Sequence, residues 1–180
     1  PLAGGLVLFL TLLLIEWFSG LLENPFLKAT FIAVIPVFMV GLWDDFKSLT
    51  PPLKLTGQII AAILLIRQGV YIRVFESPEF FIYGSSQLYV WMDWIITVFW
   101  LVGITNAFNL VDSMDGLAVG LGGLAAAFFM LATLDAYQTG LAQHSALIIG
   151  VCIGLYLFNS PPAMLFLGDA GAQTLGFIMG

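Results

Sequence analysis

Apolar residues run through this chain in long blocks separated by short polar breaks. The blocks cover roughly residues 3–21, 29–43, 54–71, 88–107, 116–134 and 145–158, and a last one runs over 171–180. They lack the alternation of a half-buried strand, and they exceed the ~9–11 residues of a membrane-barrel strand, so helices are predicted. Taken as membrane spans they make six crossings and the start of a seventh. Two charge-free runs, 15 residues over 29–43 and 12 over 55–66, are short for a bilayer. Snorkelling of Lys28 and Arg67, whose alkyl stems tolerate apolar surroundings, is expected to extend them. Trp17, Trp43, Trp91 and Trp94 fall near span ends, as an aromatic belt would. Residues 70–84, VYIRVFESPEFFIYG, break the pattern: aromatic and β-branched residues surround Ser77-Pro78-Glu79. A short β-hairpin outside the bilayer and an irregular loop both fit them.

Composition agrees with this pattern. Hydrophobic residues make up 61% of the 180 and charged residues 9%, against roughly 25% charged in soluble domains. The expected fold is therefore an all-α polytopic membrane protein, a single transmembrane unit over residues 1–180 with the lipid bilayer as its surroundings. Eleven acidic residues against five basic ones give a net charge of −6, which excludes nucleic acid as a partner, because that binding rests on Lys and Arg. The lone Cys152 forms no internal disulfide. The chain opens at Pro1 rather than methionine, and its last apolar run is about half the ~20 residues of a crossing helix. It is expected to be a piece of a longer protein.

The scarce charges are unevenly placed. Five aspartates fall in three clusters: Asp44-Asp45 in GLWDDFKSLTPPLK, Asp112 and Asp115 in NAFNLVDSMDGLA, and Asp169 in FLGDAGAQTLG. A carboxylate at mid-bilayer costs about 2.5–3.5 kcal/mol, so each cluster belongs at an interface or in a wet cavity. Two spans separate the first cluster from the second and two more separate the second from the third. An even number of crossings returns the chain to one side, so all three clusters are expected to face the same compartment. Gathered carboxylates repel, by about 3 kcal/mol per pair at ~5 Å and an effective dielectric of 20, and such a site calls for a cation. Oxygen ligands suit Mg²⁺ or Mn²⁺, and no Cys/His set is present for zinc. Lys47 and Lys54 lie on the same side and are candidates for phosphate oxygens. Asn106 and Asn109, at i and i+3, share a helix face just before Asp112, and Asn109 suits a metal ligand or a donor to a nucleotide. Gly168, Gly171 and Gly116 allow close approach of a phosphate, and equally close helix packing.

Together these stretches resemble the polyprenyl-phosphate N-acetylhexosamine-1-phosphate transferases, integral membrane enzymes of bacterial cell-wall and surface-polysaccharide synthesis. Residues 1–5 fit the family's PxxGG segment. Asp44-Asp45 with Lys54 and Gln58 fit its aspartate-pair loop, and residues 106–118 its NxxNxxDGxDGLA signature. Asn159, Pro162, Ala163 and residues 166–171 fit NxxPAxxFxGDxGS. The resemblance implies transfer of a sugar 1-phosphate from a UDP-N-acetylhexosamine to polyprenyl phosphate, giving a polyprenyl-diphospho-sugar and UMP. It places the motifs on the cytoplasmic face of the bacterial inner membrane. It implies Mg²⁺, or Mn²⁺, held by Asn109 and Asp169. Asp44 would deprotonate or orient the attacking phosphate, Asp45 would support it and the metal, and Asp112 is counted with them as catalytic. Lys54 would hold phosphate oxygens, with Asn106, Asp115 and Gly168 as further substrate contacts and Asp115 near the uracil. NAFNLVD resembles the branch that uses N-acetylglucosamine. A homodimer is an open expectation.

Three positions depart from the family pattern. Ser113 stands for a glycine, Ala172 for a serine and Met164 for a basic residue. The family's last cytoplasmic loop, with histidine or arginine for the diphosphate, has no counterpart in these residues, and His144 falls on the far side. A transporter or flippase, and an inactive paralogue of the same fold, are the alternatives that these residues leave open.

Overall fold

The computed structural model describes residues 3–75 and 87–180. Among them the chain forms seven α-helices: α1 (Gly4–Ser19), α2 (Pro25–Phe46), α3 (Pro51–Arg67), α4 (Gln87–Val111), α5 (Leu117–Asp135), α6 (Thr139–Asn159) and α7 (Gly168–Met179). A single 3-10 turn, Leu21–Glu23, joins α1 to α2. The boundaries follow local chemistry. Asn24 caps α2 by accepting the Phe26 N–H at 2.9 Å, and Pro25 fills the first position, where no N–H is needed. Pro51 opens α3 in the same way.

Two expectations are corrected. Six spans and the start of a seventh were expected, but only α2, α4, α5 and α6 among the described helices are long and apolar enough to cross a membrane. Helix α1 is apolar but stops after 16 residues, where Gly20 turns left-handed at φ 74°. Its length is only about 24 Å at 1.5 Å per residue. Helix α3 carries Lys54, Gln58 and Arg67 within 17 residues, which lowers its apolarity. Helix α7 has 12 residues, and every one from Ala170 to Phe177 is buried in protein.

The second correction concerns the hairpin. No β-strand occurs among the described residues, and the part of the expected hairpin over 76–84 lies outside them. Residues 70–75 are irregular because their backbone donors go to side chains of α4 rather than to a partner strand. The Ile72 N–H donates to Thr97 Oγ1 at 3.0 Å, and the Val74 and Phe75 N–H groups donate to Asp93 Oδ1 at 3.0 and 2.9 Å.

Helix α7 lies at the centre, packed against α1, α2, α4 and α5. Lipid tails are as apolar as leucine, so helix association here depends on close packing rather than on expulsion of water. Gly41 shows how close: a Cβ there would lie 2.6 Å from the Ala170 Cα, so α2 and α7 touch backbone to backbone. Phe9 stacks on Phe38 with ring centroids 4.0 Å apart, tying α1 to α2. The outside is greasy: Phe18 is 83% exposed and Phe99 80%. Large apolar side chains outside, with Gln58, Asp93 and Gln173 buried inside, invert the pattern of a soluble domain. The protein is a polytopic membrane protein rich in apolar helices.

Candidate active site

Each acidic cluster stands at a helix end. Asp44 and Asp45 close α2, Asp112 and Asp115 occupy the turn between α4 and α5, and Asp169 lies in the first turn of α7. Helices α3 and α4 separate the first from the second, and α5 and α6 the second from the third. The three clusters meet at one end of the bundle.

Lys54 is the pivot. It sits in the first turn of α3, and its ammonium reaches Asp44 Oδ2 at 2.7 Å and pairs with Asp169 Oδ2 as well. The other Asp44 oxygen accepts the Leu49 N–H at 2.5 Å, which holds the α2–α3 connection beneath the ion pair. Asp45 points to a different partner. Its two oxygens accept the N–H groups of Asp169 (2.7 Å) and Ala170 (3.2 Å). A carboxylate is favoured there, where unpaired N–H groups and the helix dipole give the N-terminus of α7 partial positive charge. Gly168 is required by this arrangement. Its φ is +70°, and a Cβ would lie 2.8 Å from both Asp45 oxygens.

Asp112 lies close enough to Asp169, Asp45 and Asp115 to feel their charge. Burial first, and then repulsion by those three carboxylates in that order, push its carboxyl up to about 7. Asp115 is exposed and accepts the Ala163 N–H at 3.3 Å. Asn159 ties the same turn to the chain before α7: its Oδ1 accepts the Gly116 N–H at 3.1 Å and its Nδ2 donates to the Leu165 carbonyl at 2.8 Å. Asn106 is engaged in a part-buried amide contact, donating to Gln58 Oε1 at 2.6 Å. Asn109, nearly one turn further along α4, has no side-chain hydrogen bond among the described residues.

Of the residues expected at the site, Asp44, Lys54 and Asp169 are in direct contact, Asp45 and Gly168 shape the helix start beneath Asp169, and Asp112 lies within electrostatic reach. Ser113 is exposed in the turn, Met164 is 65% exposed, and Ala172 is fully buried among the helices. Sequence reasoning passed over Gln173 and treated Gln58 only as part of a motif. Both are buried, and Gln173 Nε2 donates to Asp169 Oδ2 at 3.4 Å. The only available signal was a polar side chain within an apolar run, and that does not say which way the side chain faces.

Among the described residues no three His, Cys, Asp or Glu side chains are grouped as a metal cage. The donor chemistry nevertheless suits a hard divalent cation. The oxygens are carboxylate and amide, Lys54 pairs with Asp44 and Asp169, and the Asp112 carboxyl is raised by burial first and then by the neighbouring carboxylates. Magnesium commonly takes only one or two protein carboxylates and leaves its other positions to water and phosphate.

A family model described as "Glycosyl transferase family 4" matches residues 27–180, which include all three acidic clusters. The chain belongs to glycosyl transferase family 4. Its curated relatives include a "Probable undecaprenyl-phosphate N-acetylglucosaminyl 1-phosphate transferase" of Bacillus subtilis (strain 168), 30% identical over 98% of this chain and 49% of that protein. A "Phospho-N-acetylmuramoyl-pentapeptide-transferase" of Limosilactobacillus fermentum is 29% identical over 98% of the chain and 57% of that protein. The protein of the same description from Bacillus thuringiensis (strain Al Hakam) is 28% identical over 98% and 58%. The chain spans about half the length of these relatives. Membership of glycosyl transferase family 4 bears out the resemblance drawn from the four motifs and makes this a member of a membrane transferase family.

Proposed function

We propose that the protein containing this chain transfers N-acetylhexosamine 1-phosphate from a UDP-sugar to polyprenyl phosphate, giving a polyprenyl-diphospho-sugar and UMP. The reaction is placed at the cytoplasmic face of a bacterial inner membrane. The observation that carries this reading is the convergence of Asp44, Lys54 and Asp169 from three helices, with Asp112 in electrostatic reach, at one end of an apolar bundle. That position suits a soluble nucleotide meeting a lipid acceptor.

The bonds balance simply. An oxygen of the lipid phosphate attacks the phosphorus bearing the sugar, the bond from that phosphorus to the bridging oxygen breaks, and UMP leaves with that oxygen. A phosphate monoester is largely ionised near pH 7, so the attack needs little help from a base, and Asp44 serves to orient the acceptor through Lys54. The lysine, held between two carboxylates, is placed to exchange one of them for a phosphate oxygen. Asp45 acts through structure, fixing the start of α7 and so the backbone of Asp169. Asp112 and Asp115 stand on the nucleotide side, with Asn106 and Gly168 among the substrate contacts. Asn109 and Asp169 would hold Mg²⁺ or Mn²⁺, which when bound supplies charge neutralisation at the diphosphate. The first relative's description favours N-acetylglucosamine as the sugar.

The test is UMP release from UDP-N-acetylglucosamine and polyprenyl phosphate by the full-length protein in detergent or nanodiscs. Asp169→Asn is expected to lower the rate by about a hundredfold or more, in line with loss of a group that stabilises transition-state charge. Wild-type turnover by that variant, or transport of a lipid-linked sugar without release of UMP, overturns the reading.

A further inference from the structure

Behind Asp169 lies a run of amides that reaches deep into the helix bundle. Gln173 is one turn further along α7 and fully buried, and Gln58 on α3 is 1% exposed. Asn106 on α4 lies beside the groove between α3 and α4, a cavity of about 590 Å³ walled by residues such as Ile63, Trp94 and Val98. Three contacts join them: Asn106 Nδ2 to Gln58 Oε1 at 2.6 Å, Gln58 Nε2 to Gln173 Oε1 at 3.0 Å, and Gln173 Nε2 to Asp169 Oδ2 at 3.4 Å. Two further contacts belong to the same group. Gln58 Nε2 also leans toward Asn106 Oδ1 at 3.4 Å, and Asn106 Nδ2 donates to the Val102 carbonyl at 2.7 Å.

The direction of the run follows from its end. An ionised carboxylate only accepts, so the Gln173 group facing Asp169 must be its NH₂. The Gln173 oxygen must then face Gln58 and accept from it. The Gln58 oxygen is left for Asn106, which donates. One carboxylate thus orients three amides, and each amide gives one donor contact toward Asp169, while Gln58 and Asn106 also make the two side contacts. Buried amides without partners are costly, and aligned hydrogen bonds reinforce one another in a low-dielectric interior. This set is connected throughout, so it holds its shape, and that shape is imposed on the oxygen of Asp169 that Lys54 also contacts.

We propose that Gln173 and Gln58 are positioning residues, a one-way amide relay that fixes the Asp169 carboxylate for binding a divalent cation. The inference rests on the proposed reading of Asp169 as a metal ligand and adds what holds it. Partners behind a metal ligand set its orientation and basicity, and their loss commonly weakens metal binding about 10–100-fold. Gln173 lies in the same helix as its carboxylate, whereas Gln58 and Asn106 come from α3 and α4, so the relay also ties the site to the packing of three helices.

The experiment is Mn²⁺ binding to the full-length protein in detergent, read by electron paramagnetic resonance, with UMP release measured in parallel. Gln173→Met keeps an unbranched chain of similar length and removes the donor to Asp169. It is expected to weaken Mn²⁺ binding about tenfold or more, while the metal-free thermal midpoint reports that the fold is kept. Gln58→Met removes the donor to Gln173 and is expected to weaken binding by a smaller factor. Should Gln173→Met fail to fold, this second variant decides. In the double variant the loss should match that of Gln173→Met alone, because Gln58 acts only through Gln173. A purely structural role predicts a lowered midpoint with unchanged metal affinity. Wild-type Mn²⁺ affinity in both single variants, or additive losses in the double variant, overturns the relay. Mn²⁺ binding that is weakened by Gln173→Met, in a protein that releases no UMP from any UDP-sugar, upholds the relay and overturns the proposed reaction instead.

Discussion

The two ends of the bundle treat their charges in opposite ways. At the end formed by the close of α2 and the start of α7, carboxylates from three clusters at helix ends converge, and Lys54 contacts two of them, Asp44 and Asp169. At the other end, charges are buried one at a time and matched locally. Asp93, fully buried about 28 Å along α4 from Asp112 at 1.5 Å per residue, takes the N–H groups of Val74 and Phe75. Glu16, 1% exposed on α1, faces His144 of α6 with Oε1 2.7 Å from Nδ1. Charges that each face a local partner belong to the joints between elements. Charges that stay unbalanced after folding leave interaction energy for something else to use, and that marks the aspartate end as the place for a ligand.

The sharpest way to break this contrast is Lys54→Met. Its side chain is 22% exposed, so water screens part of the repulsion left between Asp44 and Asp169 and part remains. The thermal midpoint in detergent is therefore expected to fall by a few degrees. Transfer should fall about a hundredfold or more, because the donor for phosphate oxygens is gone. A large fall in midpoint with normal turnover per folded molecule would make Lys54 a structural lysine, and the two ends would then be alike.

The reverse pattern is expected of Asp93→Leu. Two part-buried backbone donors lose their acceptor, and a group left unsatisfied away from water costs about 1–3 kcal/mol. Because water reaches these donors in part, stability should fall by about 2 kcal/mol, the low end for two such groups, read from thermal unfolding, while turnover per folded molecule is retained. If turnover collapsed as it does for a residue of the aspartate end, residues 70–75 would belong to the catalytic apparatus and not to the scaffold.

This division was half legible in the sequence. The aspartates could be read because acidic residues are rare here and because counting the runs between them sends all three clusters to one end. That count survives the correction in span number, since α3 still reverses the chain although it is short and polar for a crossing helix. Orientation could not be read. Residues 171–180 read as an apolar run that could face lipid, yet α7 is enclosed by four other helices, and the direction of Gln173 follows from that enclosure. Asp93 gave as little away. Beside a stretch rich in β-branched and aromatic residues, the sequence left a hairpin and an irregular loop both open, and a single carboxylate placed opposite the backbone takes the N–H groups of Val74 and Phe75.

Asp112 gives a pH test that sharpens the comparison. Its carboxyl is raised from an ordinary 3.8 to about 7, so the folded protein binds the proton more tightly than the unfolded chain does. The sign follows directly. The stabilisation is fully present below pH ~4 and is lost as the pH rises through about 7. Without metal, the midpoint of the wild-type protein should therefore decline from pH 5 to pH 8 relative to that of Asp112→Asn, which stays neutral throughout. A difference of about 3 °C is of the size expected for 1 kcal/mol in a domain of this length. Parallel curves for the two proteins would mean that neither burial nor the neighbouring carboxylates raise Asp112.

The smallest effect is expected where the contact looks strongest. Glu16 and His144 approach to 2.7 Å, but neither Glu16 oxygen nor His144 Nδ1 makes an aligned hydrogen bond among the described residues. A buried pair repays its desolvation only when the geometry is good and the remaining lone pairs are satisfied. Removing one partner strands the other, and Glu16→Leu alone should cost about 3 kcal/mol. Replacing both, as in Glu16→Leu with His144→Leu, removes the desolvation together with the attraction. The net change in stability should lie within about 1 kcal/mol of zero or be slightly favourable, with turnover unchanged. A double variant as damaged as the single one would show that the pair holds α1 to α6 by more than charge. A double variant that folds normally but loses turnover would move Glu16 and His144 into the working part of the molecule and end the distinction between the two ends.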